Sequence, residues 1–183
     1  MLTALIGIGV GLVVYSLSLD HSTPFNQARI NRATVLYDNV MSFGITYNYP
    51  LTPEELMSKK SDILMLLYGE FIVDDALFSD VIAQQRLLLG DEILRYNTFE
   101  SQLQNFMDTL SEIRTNNIRL MSIDVLPIVS QPSIPYFAIA RVVQNFENVG
   151  RVHMLYYLGF SVDDGKWRIL SWAEADENFE AVL

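Results

Sequence analysis

The feature that most restricts what this chain can fold into is a change of hydrophobic period near residue 118. Upstream of it, Phe99, Leu103, Phe106, Met107, Leu110 and Ile113 recur at the spacing of one helical face. Downstream, Val152, Met154, Tyr156, Leu158, Phe160 and Val162 occupy every second position, as in a strand with one buried face. Helices that precede strands, rather than alternate with them, exclude a doubly wound βαβ sheet. They predict an α+β domain in which helices pack on a curved four-strand antiparallel meander.

Local signals place the elements. Residues 26–40 are weakly helical, and residues 47–50 break that pattern. Thr52-Pro53-Glu54-Glu55 then reads as a helix start, with Thr52 as N-cap, Pro53 in the first turn and Glu55 as the reciprocal capping-box acceptor. The helix it opens is expected over residues 53–72, burying Leu56, Ile63, Leu64, Leu67 and Phe71. A second helix is expected over 75–96, with its acidic residues early and its arginines late, as the helix dipole favours. Thr98 caps a third, which runs to about residue 115 and ends at Asn116-Asn117. Strands are expected over 118–126, 136–147, 152–162 and 167–172. A proline-containing loop separates the first two, and turns at Asn148-Val149-Gly150 and Asp163-Asp164-Gly165-Lys166 join the rest.

Residues 1–19 carry no charged side chain. As a helix rising ~1.5 Å per residue they come close to the ~30 Å of a bilayer's hydrocarbon core, so the segment is read as a single transmembrane anchor. A cleaved signal peptide is the competing reading, because Ser16 and Ser18 are small residues at peptidase spacing, although no Lys or Arg precedes the apolar run. Gly7 and Gly11 form a GxxxG pair, through which two copies could pack as a homodimer. Three regions result: the anchor at 1–19, a juxtamembrane linker with a short helix at 20–48, and the α+β domain at 49–183. Arg29 and Arg32 follow the anchor, and a literal positive-inside count would put the domain in the cytoplasm.

Charge and composition exclude several functions. With 22 acidic against 12 basic side chains the net charge is -10, which opposes binding to nucleic-acid phosphates and to anionic lipid. Membrane attachment is therefore expected to be apolar. The chain has no cysteine, and so neither thiolate metal sites nor thiol nucleophiles. No H-x-x-x-H or H-E-x-x-H spacing offers a metal site, and no P-loop, dinucleotide fingerprint or G-x-S-x-G elbow is present. The acidic pairs Asp74-Asp75, Asp91-Glu92 and Asp163-Asp164 lack the alternating pattern of a calcium loop, so no metal and no cofactor is expected.

Helices followed by a meander that ends in Asp164-Gly165-Lys166-Trp167-Arg168 resemble the nuclear-transport-factor-2-like (NTF2-like), or cystatin-like, cone fold. More narrowly, Tyr49-Pro50-Leu51-Thr52-Pro53-Glu54-Glu55-Leu56, Asp91-Glu92-Ile93-Leu94 with Asn97, and the apolar N-terminus resemble an uncharacterised family of membrane-anchored proteins from clostridial Gram-positive bacteria. That resemblance implies a domain outside the cell membrane, against the arginine count. It implies no activity.

Of the two histidines, His21 falls in the linker and His153 on a strand face with Tyr157, near Arg141 of the neighbouring strand. Arg141, His153 and Tyr157 are the candidate pocket residues, with His153 and Tyr157 as a possible acid and base. Two functions compete. One is a non-enzymatic, membrane-tethered, extracytoplasmic binding or scaffold module whose partner is a protein or a small ligand. The other is a pocket enzyme of isomerase or dehydratase type working through His153.

Overall fold

The computed structural model describes residues 24–41, 45–69, 75–131 and 133–182. Residues 1–19, expected as an anchor, with their glycine pair, lie outside them, as do His21, Phe71 and Asp74. Among the described residues no helix is long and apolar enough to cross a membrane.

Helix α1 spans Pro24–Met41, and α2, Pro53–Leu64, runs on into a π-helical turn at Met65–Gly69. Helices α3 (Asp75–Arg86), α4 (Asp91–Tyr96) and α5 (Phe99–Thr115) follow. The strands are β1 (Arg119–Val125), β2 (Val129–Gln131), β3 (Ile134–Glu147), β4 (Gly150–Ser161) and β5 (Lys166–Ala175). They form an open antiparallel sheet in the order β1-β3-β4-β5, with β2 also pairing with β3.

Sequence cues set most boundaries. Thr52 Oγ1 accepts from the Glu55 N–H at 3.2 Å, but the Glu55 carboxylate returns to the N–H of Leu51 at 2.8 Å, one residue earlier than a capping box requires. Thr98 caps α5 by accepting from Ser101 N–H at 3.2 Å. Asn117 ends the link to β1 at φ 51, a left-handed conformation that asparagine tolerates better than most residues.

Three expectations are corrected. The helix expected over 75–96 is two helices, because Leu87 to Gly90 leave the helical path to join the sheet edge. Gly90 N–H donates to Ile169 O at 2.8 Å, and Ile169 N–H donates to Leu88 O at 2.9 Å. Three consecutive leucines suit an extended apolar segment as well as a helix, and the free edge of β5 decides between them. The meander has a fifth strand: β2 lies in the loop read as irregular and pairs with the first half of β3, while β1 pairs with the second half. Val162, expected in the core, is 68% exposed, because β4 ends at Ser161 and the turn begins there.

The helices pack on one face of the sheet. Leu56, Ile63 and Leu67 from α2 and the π turn, Phe78 and Ile82 from α3, and Ala138, Ala140, Val142, Tyr156, Leu158 and Ile169 from the sheet form one buried cluster. Strand β5 carries a bulge: Tyr157 pairs with Ser171 but Leu158 pairs with Ile169, so Leu170 is the extra residue. A bulge reverses the alternation beyond it. Trp167 and Ile169 before it, and Trp172 after it, therefore all turn toward the helices.

After β5 the chain doubles back, with Val182 N–H donating to Glu174 O at 3.0 Å and Ala181 bridging to Ala175. This return lays Phe179 on the other face of the sheet, where Leu155 is buried.

Candidate functional site

Between the helices and the sheet lies a cavity of about 340 Å³, at the lower end of the ~300–1,000 Å³ usual for small-molecule sites. Its apolar wall includes Leu64, Tyr68, Ile93, Phe106, Met154 and Trp172. Tyr68 stacks on Phe106 with ring centres 5.8 Å apart, which fixes that side.

Its polar wall is built from residues on the buried stripes of the helices. Lys60 lies on the same face of α2 as Leu56, Ile63 and Leu64, and is only 4% exposed. Among the described residues no hydrogen-bond acceptor or carboxylate pairs with its amine, which stands 5.9 Å from the centre of the Trp172 ring. Burial alone brings the amine's pKa down from 10.5 to about 7. Gln85 of α3 is 2% exposed, and its Oε1 is buried without a hydrogen-bond partner. Gln102 of α5 accepts at Oε1 from Arg86 Nη1 at 2.7 Å, which leaves its Nε2 donor for the cavity. Tyr156 from β4 receives a 3.4 Å bond from Gln144 Nε2, and burial pushes its hydroxyl up to about 12.

Among the described residues no Asp, Glu or His lines this cavity, in a chain of 22 acidic residues. An amine ionising near neutrality can donate to an anion when protonated or attack a carbonyl when neutral. Among the described residues the lining tyrosines are its only titratable neighbours, and burial raises both.

The residues singled out from sequence lie elsewhere. Arg141 pairs with Leu155, Val143 with His153 and Ile139 with Tyr157, so Arg141, His153 and Tyr157 share the face turned away from the helices. None of them lines the cavity. His153 packs on Phe179 at 5.2 Å, Arg141 lies over the same ring at 5.6 Å, and Tyr157 stacks on Phe137 at 6.2 Å. The strand parity was read correctly; which face carried the cavity was not available from it.

Among the described residues no group of three or more His, Asp or Glu side chains could hold a metal ion. The turn pair Asp163-Asp164 has a structural use: Asp164 binds Arg168 through both oxygens, and that hydrogen bonding draws its carboxyl down to about 2. A second, more open hollow of about 650 Å³ lies between α2 and β1, beside Asp62, whose carboxyl is raised by burial.

Sequence reasoning missed Lys60, Gln85 and Gln102. Each carried a signal, since a charged or amide residue on a helix's apolar stripe is either paired or turned into a cavity.

The chain belongs to the family described as Domain of unknown function (DUF6715), whose model matches residues 1–172. No curated protein and no solved structure matches it.

Proposed function

We propose that this protein is a non-enzymatic binding module, tethered to the cell membrane by residues 1–19, with an NTF2-like cone outside the cell that takes a small ligand. One observation carries the reading: among the described residues, the cavity between helices and sheet holds a buried amine set over an aromatic ring rather than an anion, and a buried amide oxygen without a hydrogen-bond partner. Such groups are costly unless something satisfies them. A bound ligand would do so, and a protein partner reading the ligand-filled domain would extend the same role.

The bulged antiparallel sheet with helices packed on one face supports the cone. The uncharged run at 1–19 supports the tether, and the likeness to membrane-anchored clostridial proteins supports the extracytoplasmic orientation. The enzyme alternative is weaker, because His153 rests against Phe179 on the far side of the sheet from the cavity.

Native mass spectrometry of the intact chain, extracted from its own membranes, tests the binding role. A co-purifying small molecule that dissociates on activation is expected. Chain released by carbonate washing would overturn the tether, and a domain that protease cannot reach on intact protoplasts would overturn the orientation.

A further inference from the structure

The geometry points to a ligand of definite class: a small monocarboxylate with an apolar or aromatic body, its carboxylate held by Lys60 and Gln102. This rests on the binding-module reading and names what the cavity takes.

The first argument is charge. The chain carries 22 acidic side chains, yet among the described residues the cavity is lined by one cation and no carboxylate. Among the described residues the Lys60 amine has the Trp172 ring, not an anion, beside it. An aromatic face is a poor substitute for a counter-ion in a desolvated site, so a ligand anion is the partner this amine lacks.

The second argument is the balance of donors and acceptors. Arg86 occupies the Oε1 acceptor of Gln102 at 2.7 Å and orients that amide with its N–H groups free. Gln144 donates to the Tyr156 oxygen at 3.4 Å, which leaves that hydroxyl able to donate in turn. Gln102 Nε2 and the Tyr156 hydroxyl therefore join the Lys60 amine as donors to a carboxylate, while Asn97, Asn105 and Thr109 on the same lining keep acceptor oxygens for a donor on the ligand. Gln85 Oε1 is a further acceptor, buried without a donor. A hydroxyl or N–H elsewhere on the ligand would satisfy it.

The third argument is size and shape. About 340 Å³ bounded by Phe106, Tyr68, Ile93 and Trp172 suits one ring or a short chain rather than a long acyl tail.

Protonation is coupled to occupancy. Among the described residues the titratable groups that share the cavity with Lys60 are Tyr68 from the π turn and Tyr156 from β4, and α3, α4, α5, β3 and β5 contribute no charged lining side chain. An amine that ionises near 7 when empty and is held protonated by a bound anion takes up a proton on binding above pH 7.

The test uses the intact chain in nanodiscs of zwitterionic lipid, titrated by calorimetry and by tryptophan fluorescence. The probes are 3-phenylpropionate and octanoate, their primary amides, and 3-phenylpropylamine. At pH 6 the acids are expected to bind at least about tenfold tighter than the amides, with the amine weakest. Above pH 7 that preference should fall about tenfold per pH unit. In Lys60→Met, checked for folding by its melt, the acids should bind no better than the amides. Amides equal to acids at pH 6, a preferred amine, or a Lys60→Met protein that keeps the preference would each overturn the ligand class while leaving a binding module. No binding by any probe at any pH would overturn the module as well.

Discussion

Arg86 Nη1 donates to Gln102 Oε1 at 2.7 Å and to Asn97 O at 2.8 Å, so one guanidinium ties α3 to the start of α5 and to the end of α4. The gap left where the long helix breaks at Leu87 is thereby bridged by the last residue before the break. Arg86→Met keeps the aliphatic stem but removes both bonds and leaves two acceptors without a donor. A loss of roughly 1–3 kcal/mol is expected, measured by urea denaturation with the slope unchanged. An unchanged midpoint would show that solvent replaces the guanidinium at no cost.

Lys60→Met should stabilise the protein, and by an amount that depends on pH. A lysine whose pKa falls from 10.5 unfolded to about 7 folded opposes folding most where both states would carry the charge, below pH 7. The opposition is relieved as pH rises from 7 to 10.5, because there the unfolded chain binds the extra proton. Methionine fills similar space without that burden, so the variant should gain roughly 1–4 kcal/mol at pH 6 and progressively less toward pH 9.5. A gain independent of pH would mean that Lys60 is not the group responsible.

The two faces of β4 should respond differently. Leu158 is fully buried against the helices, and Leu158→Ala should cost about 2–5 kcal/mol through lost burial and a residual cavity. His153 is half-buried under Phe179, and His153→Ala should cost less than about 1.5 kcal/mol while leaving probe binding in the cavity intact. Melting both variants and titrating the second with 3-phenylpropionate checks the pair. Loss of binding in a folded His153→Ala protein would connect the outer face to the site.

Much of the scaffold was legible because it depends on short-range rules. Thr52 and Thr98 cap their helices where the sequence places them, and the alternation along β4 puts Tyr156 and Leu158 in the core. What was illegible depends on competition between distant segments. Nothing local to Leu87-Leu88-Leu89 says that Ile169, some eighty residues on, offers a better set of hydrogen bonds than another helical turn. The bulge at Leu170 is equally invisible, since a strand with an extra residue reads as a strand. The site was missed for a related reason. A histidine on a strand draws attention by its chemistry, whereas Lys60 and Gln85 are conspicuous only by falling where apolar residues belong.

Two glycines give a final prediction, because the same substitution meets different obstacles. A Cβ at Gly69 would lie 2.8 Å from the backbone oxygen of Leu120 and 3.0 Å from Met65 Cε. The π turn and β1 touch there, and the obstacle is backbone of a strand paired with β3 rather than the end of a flexible side chain. A Cβ at Gly159 would lie 2.6 Å from Leu170 Cδ1, the end of a flexible side chain on the bulge that is 45% exposed. Gly69→Ala should therefore cost roughly 1–3 kcal/mol, with no rescue from Met65→Ala. Gly159→Ala should cost about 0.5–1.5 kcal/mol, as expected for a displaced rotamer, and Leu170→Ala should remove most of that penalty. Double-mutant cycles on both pairs measure the difference. If Met65→Ala rescues Gly69→Ala as fully as Leu170→Ala rescues Gly159→Ala, the close approach of the π turn to β1 is not what fixes glycine at 69.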